Sequence, residues 1–358
     1  MRLFRVTWTV GPVVAAGKSE HSMKRSHVIV LILVGLVSLG MSGGTCNVNV
    51  DDVNVGGGGN NNDGSGGDTS NTGNGGGSTS PSVSYSALQQ LSLERINRAR
   101  LRPVTEAARY SISLNEGIPD DEQISTSPKQ PLAMNATLNS VAKAHSQDMI
   151  DRDYFAHNTL EGVSPFVRIT NAGYTYTSAG ENLAWRGTTG PLNEAQEVEK
   201  EHQDLFVDDD FPGRGHRAAM LNAEYREVGI GIVRGDYTQD GTVFDSLMQT
   251  QDYGTPSSDN IFVLGVVYND NNSNGQYDYG EGTASVTVTL GVGGDSTPTT
   301  TNQAGGYSFE VTQAGTYTLS FSSGQAQAIT ISSGAPNIKV DLVDGGTLVI
   351  NLGLGPLG

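Results

Sequence analysis

Between Asn47 and Ser84 the chain consists almost wholly of Gly, Asn, Ser, Thr and Asp, as in "VGGGGNNNDGSGGDTSNTGNGGGSTSPS". A run so poor in apolar side chains cannot offset the entropy of being ordered, so residues 47–84 are expected to form a flexible tether. A tether of this kind makes sense beside an anchor; beside a cleavage site it would only be a tail.

The leader reads as an export signal. In "MKRSHVIVLILVGLVSLGMSGGTC" the basic Lys24 and Arg25 precede an apolar run from Val28 to Met41. That run is short for a membrane span and suited to a signal-peptide core. Residues 1–46 are therefore taken as the signal region, with Met23 as the expected start. Cys46, the only cysteine of the chain, follows the run as a candidate lipid-anchor site, although Gly-Gly-Thr before it departs from the usual lipobox. Simple secretion is the alternative. A single cysteine also excludes an intrachain disulfide framework and a cysteine-based metal cluster. The net charge of -17 repels phosphate backbones, so nucleic acid is not an expected partner.

Folded sequence starts near Tyr85. "ALQQLSLERINRARLRP" sets Leu88, Leu91, Ile96 and Ala99 at near-helical spacing, and Pro103 is expected to stop the helix. Residues 104–130 have weak periodicity and read as an excursion. In "MNATLNSVAKAHSQDMIDRDYF", Asn135 is the expected N-cap, and Leu138, Val141, Ala142, His145 and Met149 share a face. A third helix is expected over Leu192–Val207, followed by the alternating hairpin "EVGIGIVRGDYTQDGTVFDSLMQT". Together these make an α+β domain over 85–254. After "YGTPSSDN" the texture becomes short Thr/Val/Gly-rich strands with frequent turns, which predicts a small all-β sandwich over 260–358.

In the first domain His157 lies in "DYFAHNTLEG", Glu181 in "AGENLAW" and His216 in "GRGHRAAML". With "INRAR" and "LMQTQDYG" in flanking positions, this order resembles the CAP superfamily, which includes bacterial SCP-domain proteins. The likeness covers about residues 88–253. It implies an α-β-α sandwich with a central cleft where two histidines and two acidic residues converge. Carried over by motif, these are His157, Glu181 and His216. For the fourth, the family's Trp-x-x-Glu is replaced by "LFVD", which offers Asp208, with Glu201 and His202 as alternatives. Gly215 is expected to turn the backbone so that His216 faces the cleft at the start of a helix.

Two neutral imidazoles and a carboxylate suit Zn²⁺ or another divalent cation with an open position. A second carboxylate would orient the ligands or activate water. The purely structural alternative is that both histidines only hydrogen-bond across the fold. His145, on an apolar helix face, and Trp185 are expected in the core. Glu181 could serve to tie down a loop, and Asp208–Asp210 could be a solvated acidic run.

In the second domain "DNNSNGQYDYGE" matches a twelve-residue Ca²⁺ loop. Asp270, Asn272 and Asn274 hold positions one, three and five. Gly275 makes the turn, Gln276 offers its carbonyl, Asp278 stands at nine and Glu281 at twelve. "GVVYNDNNSNGQYDYGEG" and "TTTNQAGGYSFEV" resemble the B-type repeats of bacterial surface adhesins, which implies a calcium-stiffened module without chemistry of its own.

The sequence thus predicts an exported, surface-tethered binding protein whose cleft takes a cell-envelope lipid, glycan or peptide. Its membrane contact would be confined to a lipid anchor. The rival readings are a metal-dependent hydrolase using His157, Glu181 and His216, and an adhesin whose cleft is vestigial. Ligand, cleft metal and oligomeric state stay open at this level.

Overall fold

The computed structural model describes residues 2–10, 87–209 and 211–351. Cys46, the tether 47–84 and Asp210 lie outside them, as does the expected export segment beyond residue 10. No described helix is long and apolar enough to cross a membrane.

The first domain is built on a five-stranded sheet of order β1-β3-β5-β4-β2. Its strands are β1 (Arg2–Val10), β2 (Ala133–Met134), β3 (Tyr176–Thr188), β4 (Glu227–Gln239) and β5 (Thr242–Pro256). Helices α1 (Ala87–Leu101), α2 (Pro103–Arg109), α3 (Ala136–Asp151), α4 (Pro165–Asn171), α5 (Glu194–Val207) and α6 (Gly215–Met220) surround it. β1, which precedes Met23, pairs antiparallel with β3 from Arg2↔Thr188 to Val10↔Gly180. Placing the start at Met23 did not anticipate this strand.

Local chemistry explains most boundaries. The Asn135 side chain accepts from the Leu138 amide and caps α3. Pro103 does not merely end α1. It opens α2 at a first-turn position where its missing N–H costs nothing, so part of the expected excursion is helical. His145 is buried and its Nε2 contacts the Ala156 carbonyl at 3.0 Å, while Trp185 packs with Tyr237 and Phe244. On β4 the two glycines of "VGIGI" let α3 lie directly on the sheet. A Cβ at Gly229 would meet the Leu138–Asn139 backbone, and one at Gly231 would meet Ala142–Lys143.

The second domain stacks two four-stranded sheets, β11-β10-β7-β8 and β13-β12-β6-β9. The strands are β6 (Ile261–Tyr268), β7 (Thr287–Val292), β8 (Asp295–Thr300), β9 (Gly306–Val311), β10 (Gly315–Phe321), β11 (Ala326–Ile331), β12 (Ile338–Val343) and β13 (Thr347–Asn351). Their inward residues, among them Val263, Phe309, Leu319 and Val340, form one core. The last three strands complete the two sheets, with β12 running parallel to β6.

The two domains are fastened together. Arg95, on α1, donates to the Tyr277 carbonyl at 2.6 Å and to Asp278 Oδ1 at 2.6 Å, and also pairs with Glu199 on α5. Lys339, on β12, is buried between Glu94 at 2.9 Å and Asp341. The Asn337 amide donates to the carbonyls of Pro131 and Arg226. Leu91, Val198 and Leu247 share a small core with Val266, Tyr268 and Tyr277 of the other domain.

Candidate functional site

Glu181 sits in the middle of β3 with its side chain fully buried. Strand alternation sends it to one side of the sheet and its neighbour Asn182 to the other. On the first side, Glu181 Oε1 lies 2.7 Å from His157 Nδ1. Oε2 accepts from Arg168 NH2 at 2.5 Å. Ser164 caps α4 through the Val167 amide and Pro165 opens it. This short helix delivers Arg168, whose NH1 also donates to the His157 carbonyl at 2.6 Å. Arg168 therefore fixes both members of the pair.

On the other side, the Asn182 amide donates to the His216 carbonyl at 3.1 Å. His216 is wholly buried, its ring meeting Phe211 edge-on at a centroid distance of 4.9 Å. Asp208 holds it twice: Oδ1 contacts ring Nδ1 at 2.5 Å, and Oδ2 accepts from the His216 backbone N–H at 2.8 Å. Asp208 can do so because it ends α5 in the left-handed region, at φ 54°, a conformation Asp tolerates better than most residues. The turn before His216 differs from expectation. Gly213 (φ 81°) and Arg214 (φ 51°) carry the left-handed conformations, not Gly215, which is the first residue of α6. Arg214 is held in this state by donating to the Asp208 and Phe211 carbonyls.

The predicted quartet falls into two histidine–carboxylate pairs on opposite sides of the sheet, His157 with Glu181 and His216 with Asp208, so the two imidazoles do not meet in one cleft as expected, because adjacent residues of β3 point to opposite faces. Of the alternatives for the fourth member, Glu201 accepts from Gln249 at 2.7 Å and His202 contacts Glu106 at 2.8 Å, so each is taken by a partner other than His216. Among the described residues, no group of three or more His, Cys, Asp or Glu is arranged around one metal position. Glu181 fits poorly as a cation ligand, because one of its oxygens faces a guanidinium. His216 fits well. A carboxylate oxygen only accepts, so in the contact with Asp208 the proton sits on Nδ1. That leaves Nε2, which is buried and has no partner.

Asp252, on β5, was missed by the sequence reading. It stands directly across from Glu181 in the β3–β5 register and is fully buried. Neither of its oxygens has a donor. Two carboxyl groups can bond to each other only if one keeps its proton. Burial first, and then the adjacent Glu181, push the Asp252 carboxyl well above its ordinary range. Burial likewise raises Glu181 to about 7, against the pull of Arg168.

A carboxyl kept neutral in the folded chain but ionised in the unfolded one contributes stability that is complete below its unfolded pKa, 3.8 for Asp, and lost as pH rises above it. Asp252→Asn removes this titration. The variant should therefore gain stability relative to the parent as pH climbs from about 4 to 7, as read by urea unfolding across that range. A constant difference would contradict the shared proton.

In the loop between β6 and β7, Asp270 accepts from the Asn274 and Gly275 amides, and Gly275 has φ 73° as the turn requires. Asp278 Oδ2 accepts from the Asn272 and Asn274 side chains, and Glu281 from the Asn271 and Asp278 amides. Gln276 Oε1 is held by Arg98 at 2.7 Å. The loop thus has the tight turn of the template, but with Asp278 drawn toward Arg95.

Comparison with known proteins agrees with both domains. Residues 93–253 match the Cysteine-rich secretory protein family, CAP, and residues 263–347 match the SdrD B-like domain. The chain is 36% identical over 104 residues to the uncharacterised protein YkwD of Bacillus subtilis strain 168, covering 29% of this chain and 35% of the relative. It is 32% identical over 99 residues to the uncharacterised membrane protein YlbC of the same organism, covering 28% and 25%. The matched stretches therefore span about a third and a quarter of those relatives. Among solved structures, an extracellular SCP-domain protein of Bacillus anthracis aligns with TM-score 0.27 and 19% identity, covering 46% of this chain and 41% of that one.

Proposed function

We propose that this chain, a CAP domain joined to an SdrD B-like domain, is an exported binding protein whose CAP site takes its ligand at His216. One observation carries the reading: the buried, partnerless Nε2 of an imidazole whose other nitrogen is fixed by Asp208. A buried polar atom without a partner costs about 1–3 kcal/mol. A ligand that satisfies it recovers that energy.

For a divalent cation such as Zn²⁺, His216 would be a ligand through Nε2, and Asp208 would support its ring from behind, as carboxylates commonly do for metal-bound histidines. A bound cation would offer a positively charged acceptor for an oxygen of a lipid, glycan or peptide of the cell envelope. The B-like domain serves as a rigid module, its loop taking Ca²⁺ through Asp270, Asn272, Asn274, Gln276, Asp278 and Glu281. An export signal and a tether ahead of two such domains support a place at the cell surface.

Zn²⁺ titration of the metal-stripped protein by calorimetry tests the reading. The parent should bind near one equivalent in the CAP domain, and His216→Ala should lose at least tenfold in affinity, roughly 1.4 kcal/mol. Equal binding by parent and variant would sink it. Turnover of an envelope substrate by the parent, lost in His216→Ala, would favour the hydrolase instead.

A further inference from the structure

A second site lies away from β3, in a cavity of about 350 Å³ between α1 and α2 of the CAP domain and the 274–277 loop and last strands of the other. It reverses the sign of the chain. Arg95, Arg98 and Arg102 follow one another three and four residues apart, along one face of α1 and just past its end. Arg109 at the end of α2 and Lys339 on β12 complete the cationic lining. The molecule as a whole has a net charge of -17.

Most of this charge is already matched. Arg95 is taken by Glu199 and Asp278, and Lys339 by Glu94 and Asp341. Arg98 forms a two-pronged pair with Glu106. Arg102 and Arg109 are left over. The Arg102 side chain is exposed and makes no hydrogen bond or ion pair among the described residues. Arg109, 42% exposed, reaches Glu106 only at 3.6 Å and Gln276 at 3.3 Å. Glu106 also receives His202, so one carboxylate is spread over several partners. The rest of the lining mixes Thr105 and Asn351, able to hydrogen-bond hydroxyls, with apolar Leu101, Tyr268 and Val349.

We propose that this inter-domain cavity binds an anionic sugar, its carboxylate or phosphate held by Arg102 and Arg109 and its hydroxyls by Thr105 and Asn351. Arg102 and Arg109 bracket α2, about 10 Å apart along the helix. The site is independent of His216 and stands or falls apart from the reading above.

The test is calorimetric titration of the full chain with digalacturonate, with glycerol 3-phosphate, and with neutral galactobiose. The anionic probes should bind more tightly than the neutral one, and Arg102→Ala/Arg109→Ala should weaken them about tenfold or more. Arg234→Ala, on the distant β4–β5 hairpin, should leave binding unchanged. Preference for digalacturonate assigns a carboxylate ligand, and preference for glycerol phosphate assigns a phosphate. Binding of neither, or full binding by the double variant with its fold intact by circular dichroism, would overturn the proposal.

Discussion

Gly231→Ala should destabilise the CAP domain by more than about 3 kcal/mol, beyond the 1–3 kcal/mol usual for overpacking. The added methyl would meet the carbonyl group of Ala142 and the amide nitrogen of Lys143, both backbone atoms of α3. No rotamer change can relieve that overlap, so the helix must lift from the sheet. Lifting it uncovers Leu138 and Met149, both fully buried, and strains the bond from Ser146 Oγ to the Gly231 carbonyl, which is 3.0 Å here. A domain with about 5–15 kcal/mol of stability has little room for such a loss. Urea unfolding should show a large fall in midpoint. Gly190→Ala, whose Cβ would only touch Thr188 Oγ1 at 3.8 Å, should stay within about 0.5 kcal/mol of the parent.

The second large effect is expected at Lys339→Met. The ammonium is buried with Glu94 on one side and Asp341 on the other. Burial alone would lower its pKa, but the two carboxylates outweigh this and hold it above its ordinary value. Removing the cation leaves two buried carboxylates facing each other, and breaking a buried pair in this way costs about 3–5 kcal/mol. The loss falls on the contact between the domains, since Glu94 belongs to α1 and Lys339 to β12. Adding Glu94→Gln to Lys339→Met should recover part of it, and so should acid, which protonates the stranded carboxyls. A single variant as stable as the parent at neutral pH would show that the triad contributes nothing net.

The sequence made the elements legible where one face is apolar and the caps are strong. Asn135 and the Leu138–Met149 stripe gave α3, and alternation gave the β4–β5 hairpin and the sandwich. It failed where side chains serve a partner remote in the chain. In "LERINRAR" the arginines look like a solvated face, yet Arg95 and Arg98 grip Tyr277, Asp278 and Gln276 of the other domain. No local pattern distinguishes a docked arginine from a free one. Pro103 was ambiguous because the same residue that ends one helix can begin another.

The candidate site was legible as residues but not as an arrangement. Motif order identified His157, Glu181, His216 and Asp208, while their division into two pairs follows from strand alternation at Glu181 and Asn182. Arg168 and Asp252 gave weak signals. One was available: "LMQTQDYG" carries polar residues on both faces of a central strand, with Gln249 and Gln251 on one side and Thr250 and Asp252 on the other. Buried polar side chains on both faces mean a network, since each must find a partner. The turn at His216 was misplaced because glycine tolerates φ > 0 without requiring it, and here Arg214 adopts it instead.

The most direct measurement is the ¹⁵N resonance of the His216 ring nitrogens, followed through a Zn²⁺ titration of the stripped protein. The expected result is a proton on Nδ1, a bare Nε2, and a shift of Nε2 on adding zinc that is lost when Asp208→Ala frees the ring. A proton found on Nε2, with no response to the metal, would contradict the account.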